Sequence, residues 1–282
     1  MSPARKTKIV DASGDRMVVV DGPDGTRFVS QQQWMTSRRW EAAETNRLNE
    51  AHWAHATQSD RPVNDWLEEQ LPTLRARATY EERQNPIITG AIGTLSDDVV
   101  GPDGPTPEVQ SSSKAFNAAA ERVWRKWFAA PTFRPNVSGA SVLRLWVEDL
   151  PRCGEFLSEI ATDPFAEGPV KMRLRLKHPR DLVNPIGAND ARMKMGVEFE
   201  TAEMDRPLRY WINHLVADGY RVETESWPAE LVIHEFVAKE AGQARGWPWL
   251  TPALPTAADT RDFDDQVLDA ARLSADQAVM LV

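Results

Sequence analysis

His234 and Glu235 are the residues whose types and spacing come nearest to a catalytic motif. In His-Glu-x-x-His on a helix, two imidazoles share one face and hold zinc while the carboxylate activates water. Here the second histidine position is Ala238, and a zinc site needs three or four protein ligands. His52, His55, His178 and His214 are scattered; His52 and His55 lie three apart, a spacing open to a metal pair but far more common on a solvated helix face. No Gly-x-x-x-x-Gly-Lys-Ser/Thr loop occurs, so the phosphate cradle of a P-loop ATPase is missing. Asp259, Asp262, Asp264 and Asp265 cluster without calcium-loop spacing. One reading of them is a nuclease-like carboxylate cluster; the blander one is the preference of acids for a helix start. These residues name no catalytic role, no metal and no cofactor.

The chain has 282 residues, of which 41% are hydrophobic and 27% charged, the balance of a folded protein. A net charge of −9 argues against tight gripping of phosphates, since non-specific nucleic-acid affinity comes from basic charge. Cys153 is the only cysteine and excludes an internal disulfide. No apolar run approaches the ~20 residues of a membrane span, and the basic N-terminus has no apolar stretch after it to make a secretory signal. Synthesis in a reducing cytoplasm is the expectation. Eleven Trp point to many packed contacts, some of them between subunits.

The elements that would position these residues follow from periodicity. Short strands are expected at 8–10, 17–20 and 26–29, with a turn at Asp21-Gly-Pro-Asp-Gly25, and a weak helix over 31–57. Val63, Trp66, Leu67, Leu71, Leu74 and Ala78 recur at helical spacing, with Asn64 or Asp65 as cap and Pro72 as a kink or break. Pro86 suits the first turn of a second helix ending near Gly101. Further helices are expected over 114–129, where Trp124 and Trp127 share a face, and over 139–161. Strands then follow at 171–177, 195–200, 208–212 and 231–234, and a last helix at 259–280. Helices, strands and a closing helix without β-α alternation indicate an α+β fold: a helical N-terminal half, a mixed β region at about 169–234 and a C-terminal helix.

Lys171-Met-Arg-Leu-Arg-Leu-Lys177 alternates without error, so its cations take one face of a strand and Met172, Leu174 and Leu176 the other. The basic face is either solvated or in contact with an acidic neighbour or nucleic acid. Gln243-Ala-Arg245-Gly246 has no catalytic logic of its own. Arg245 is readable as an interface residue or as a local loop brace, and Pro248 as the opening of the next helix.

Several segments resemble the portal proteins of lambda-like tailed phages. They are Arg38-Arg-Trp-Glu-Ala-Ala-Glu44 with Leu74-Arg75-Ala-Arg77, Asn85-Pro86 leading to Val99-Val-Gly101, and Trp124-x-x-Trp127. Gly154-Glu155-Phe156-Leu157 follows, then Gly196-Val-Glu198 with Arg206-Pro-Leu-Arg-Tyr-Trp-Ile212, and finally Val232-Ile-His234 with Gly242-Gln-Ala-Arg-Gly-Trp-Pro-Trp-Leu250. They run in the family's order over residues 38–250, while 1–30 carry no resemblance.

The resemblance implies a structural, non-enzymatic subunit of a dodecameric ring, the head-tail connector at the portal vertex of the virion, assembled in the host cytoplasm. Its expected partners are other copies of itself, double-stranded DNA passing through the channel, terminase, head-completion or adaptor proteins and the major capsid protein, with no membrane and no cofactor. The expected layout is an N-terminal β-hairpin extension over 1–30, a wing-like domain over 31–258 and, over 259–282, the start of a stem-directed helix, with more of the portal beyond it. Arg75, Arg77, Gln243, Arg245, Gly246 and Trp247 become subunit-interface or motif candidates. Asp262, Asp265, Asp269 and Asp276, spaced to share one helix face, become channel-facing candidates. The alternative is a DNA-processing packaging enzyme, a nuclease or ATPase component; a third reading is an intracellular interaction module.

Overall fold

A computed structural model describes residues 17–22, 25–30, 60–215 and 222–279, with side chains over 60–215 and 222–275. The chain divides into two units, Met1–Arg61 and Pro62–Val282. In the first, β1 (Met17–Gly22) and β2 (Gly25–Ser30) pair antiparallel, Gly22 opposite Gly25, around the expected turn. The strand expected at 8–10 and the helix at 31–57 lie outside the described residues.

The second unit opens with α1 (Val63–Gln84), whose Val63, Leu67, Leu71 and Ala78 are buried at the spacing of one helix face. Burial of a side chain such as Leu67 contributes about 1.5–3 kcal/mol. The expected cap and break are both corrected. Pro62 precedes the helix without a side-chain cap, and α1 runs unbroken through Pro72. Pro72 and Glu68 are exposed, so the carbonyl that the proline leaves unpaired faces water, while packing anchors the turns on either side. α2 (Pro86–Val100) starts as expected: Asn85 Oδ1 accepts from the N–H of Ile87 at 3.1 Å and of Ile88 at 3.4 Å. Ser113 caps α3 (Lys114–Ala129) and Ser138 caps α4 (Gly139–Cys153). Trp124 and Trp127 of α3 are half-buried; Trp124 stacks on Phe128 and the Trp127 indole donates to the Met172 carbonyl at 2.9 Å.

The helix expected over 139–161 is wrong in its second half. Gly154, at φ +85°, takes the left-handed conformation that stops α4, and its N–H donates to the carbonyls of Asp149 and Leu150. The chain then enters β3 (Glu155–Thr162). β3 is central, between β4 (Met172–Lys177) and β9 (Val232–Phe236) in an antiparallel sheet. A strand covered on both faces loses the period-two signal, and Leu157 and Ile160 happened to continue the helical spacing of α4. The β region therefore begins at 155, not near 169.

A second antiparallel sheet runs in the order β5 (Met193–Lys194), β6 (Val197–Phe199), β7 (Pro207–Leu215), β8 (Val222–Pro228). The strand expected over 195–200 is interrupted by the turn at Met195 and Gly196. β8, not anticipated, is an edge strand with Glu223 and Glu225 among its residues, and acids on an edge discourage further pairing. Leu157, Leu182, Val197, Phe199, Tyr210 and Ile212 form the core between these elements. On β4 the expected register holds: Leu174 is buried and Met172 and Leu176 are half-buried. α5 (Leu254–Val279) begins earlier than expected and does not open on Pro248. Its Leu254 and Ala257 are buried and Arg261 pairs with Glu81 of α1 at 2.5 Å, but from Asp262 to Ala275 every residue is exposed. The architecture is α+β.

A Cβ at Gly154 would lie 2.1 Å from the backbone of Trp247, in addition to the positive φ. Gly154→Ala is therefore expected to lower stability by more than about 2 kcal/mol, read as a lower urea midpoint at unchanged slope.

Candidate functional site

Glu155, the first residue of β3, is fully buried. Arg75 of α1 donates through Nη2 to Glu155 Oε1, and Arg245 donates through Nη2 to the same oxygen at 2.6 Å and through Nε to both oxygens at 2.9 and 3.0 Å. His234 of β9 donates through Nε2–H to Oε2 at 2.9 Å, and so does the N–H of Gly246 at 2.9 Å. The Tyr210 hydroxyl of β7 lies 3.4 Å from His234 Nδ1 and helps to orient the ring. Burial pushes the Glu155 carboxyl up, but the guanidiniums of Arg245 and Arg75, with the hydrogen bond from His234, overcome this and hold it well below the usual carboxylate range.

Arg245 spends its other donors on the carbonyls of Met195 and Pro179, the latter at 2.6 Å. The loop that carries it is clamped as well. Asn64 accepts from Ala244 N–H and donates to the Gly242 carbonyl, each at 2.8 Å. Gln243 accepts from Lys239 N–H at 2.8 Å and donates to the Arg245 carbonyl at 2.7 Å. Gly246 crosses the α4–β3 corner so closely that an added Cβ would meet the Gly154 carbonyl at 2.1 Å.

The separate sequence segments thus converge. Arg75, Glu155, Tyr210, His234 and Arg245 come from five stretches singled out by resemblance, and they form one network. Arg245 is 1% exposed, its guanidinium bonded to Glu155 and to the carbonyls of Met195 and Pro179. Of its two readings the geometry fits the brace. Arg75 and Gln243 are buried in the same brace, Gly246 supplies its N–H, and Arg77 is exposed. Trp247 packs edge-on against Trp66, ring centroids 6.0 Å apart, under the Lys239 ammonium. Asp262, Asp265 and Asp269 are exposed on α5; Asp276 lies on the same helix, its side chain outside the described residues. Sequence reasoning missed the carboxylate itself. Its signal was a Glu set between Cys153 and the apolar pair Phe156 and Leu157, a charge that burial would oblige to find partners.

A second carboxylate of β3, Glu159, is also fully buried. Its partners are Arg175, directly opposite on β4, at 3.2 Å, Lys177 at 3.6 Å and His214 Nε2 at 3.3 Å. The basic face of β4 therefore neutralises an acid within the chain. At the other end of β3, before Glu155, Cys153 Sγ lies 3.7 Å from His178 Nε2. Burial pushes the thiol up to about 12, and burial with Arg180 and Arg75 pushes the imidazole down to about 4. Both partners are neutral, the wrong state for a nucleophilic pair. His178 lines a groove of about 1190 Å³ between α1, α4 and residues 176–184, whose floor reaches Arg75 and Arg245. Asp149 on its wall is pushed up to about 6 by burial, against the pull of Arg152 at 3.2 Å.

The family model for phage portal proteins of the lambda family matches residues 29–282. No curated protein matches the chain.

Removing either side of the network leaves buried charge uncompensated. Arg245→Ala and Glu155→Gln are each expected to cost about 3–5 kcal/mol, measured by chemical denaturation; a loss within ~0.5 kcal/mol, as at an exposed site, would overturn the brace.

The groove wall has its own pH signature. From about pH 4 to 6 folded Asp149 keeps a proton that the unfolded chain has released, so its contribution to stability falls as pH rises. His178 acts oppositely: between about 4 and 6.5 the unfolded imidazole is charged and the folded one is not, so its contribution rises with pH. Asp149→Asn removes only the first, and the variant's stability should climb more steeply than the parent's across that window in denaturation series at stepped pH.

Proposed function

Because this chain belongs to the lambda family of phage portal proteins, we propose that it is a subunit of the ring through which DNA enters and leaves the capsid of a tailed phage. The observation that carries this reading is the match to the portal family over residues 29–282. The role is structural. The braced body around Glu155 is the rigid wing of the subunit, and α5 leaves that body with its side chains exposed from Asp262 onward. The ring is a dodecamer seated at the portal vertex against the major capsid protein. It docks terminase during packaging and head-completion or adaptor proteins afterwards.

Catalysis has no seat in the network: Glu155 and His234 have side chains 0 and 2% exposed, out of reach of a substrate. The chain's charge of −9 suits a wall past which DNA slides rather than one that grips phosphates. Asp262, Asp265, Asp269 and Asp276 lining the channel is one orientation of α5 in such a ring; another sets the helix against the neighbouring subunit.

Electron micrographs of the purified protein are expected to show rings with a central channel. Isolated monomers at all concentrations, or ATP turnover or metal-dependent DNA cleavage by the pure protein, would overturn the reading.

A further inference from the structure

A long groove remains open among the described residues. It follows α1 from Leu67 to Gln84, roughly 25 Å of helix at ~1.5 Å per residue. Leu145, Leu176 and Val183 give it apolar walls, and six arginine or lysine side chains border it against two carboxylates, Glu68 and Asp149. Four of those cations are committed: Arg75 and Arg245 to Glu155, Arg152 to Glu82 and Asp149, Lys177 to Glu159. The floor still carries an excess, because two guanidiniums share the single Glu155 carboxylate. Two further arginines sit at the rim with little to neutralise them. Arg83 is exposed and makes no ion pair among the described residues. Arg180, its side chain 74% exposed, has its carboxylate neighbour Asp181 at 4.0 Å. His178 in the same wall feels this field: after burial, Arg180, Arg75 and Arg152 are what hold its imidazole neutral.

α5 is the complement. From Asp262 to Ala275 it is exposed all round, over roughly 20 Å of helix at ~1.5 Å per residue, short enough to lie within the groove. Asp262, Asp265 and Asp269 share one face, with Leu273 beside them at 64% exposure; Arg272 pairs with Asp269 at 3.0 Å and takes one charge from that face. In its own chain α5 is held at the end of α1 by the Arg261–Glu81 pair, and its acidic face beyond that point stays exposed.

We propose that α5 of a second copy docks in this groove, its Asp262, Asp265 and Asp269 face turned to Arg83 and Arg180. The proposal rests on the portal reading. Such a contact joins two different surfaces, so it propagates head to tail and closes into a ring when the rotation between copies allows. It turns the acidic stripe toward a neighbour and away from the channel axis.

Two charge-reversed forms of the whole chain test this, one with Arg83→Glu and Arg180→Glu, the other with Asp262→Lys, Asp265→Lys and Asp269→Lys. All five positions are exposed, so both forms keep the fold. Sedimentation velocity at low salt is expected to show each form alone associating about ten-fold or more weakly than the parent. Mixing the two restores association, because every groove then finds a helix of opposite charge, and misfolding cannot produce that repair. Rings that form equally well with either reversal, or defects that mixing leaves unrepaired, overturn the groove assignment and leave the portal reading standing. A parent chain that stays monomeric throughout overturns both.

Discussion

A carboxylate removed from water costs several kcal/mol unless its lone pairs are met, and Glu155 is removed completely. Its donors are two guanidiniums, an imidazole and a backbone N–H. They come from α1, from β9 and from the loop after it. Arg245 then passes the constraint on, to Met195 beside the second sheet and to Pro179 after β4. The carboxylate is satisfied only when all of these segments are in place together. One buried charge thus draws its partners from up to 91 residues away in sequence.

Glu159 extends the same logic along β3. Together the two acids make the central strand of this sheet a charged one, and the register follows from them. Arg175 stands opposite Glu159, and a slip of one residue would turn the strand's faces over and part the acid from its cations. The alternating cations of β4 look like a surface for nucleic acid when read alone. In the fold at least two of them, Arg175 and Lys177, answer a buried acid.

For a portal subunit this division of labour is mechanically apt. A network without open coordination gives rigidity, which suits the structural role proposed for this chain. The exposed charges lie elsewhere, at Arg83 and Arg180 on the rim of the groove and at Asp262 and Asp265 on α5. Those are the surfaces proposed to join one copy to the next.

The sequence by itself determined the α+β class, the helices at α1 to α3, the hairpin at β1 and β2 and the register of β4, because periodicity, Asn85-Pro86 capping and turn residues act within a few positions of one another; the portal family was legible as a resemblance carried by scattered motifs. It also marked most of the network's residues, as members of scattered motifs. It did not reveal that they meet. Leu157 and Ile160 prolonged a helical pattern past Gly154, and β8 went unseen, because a central strand and a charged edge strand both lose the alternation that announces a strand. Arg245 was equally readable as an interface residue or a brace, since a guanidinium has the same formula whether it faces solvent or a buried acid. Only the tertiary structure gave a ground for preferring the brace. It brought Glu155 to Arg245 across 90 residues of chain, and the desolvation that makes their pairing obligatory exists only once the surrounding core has closed over both.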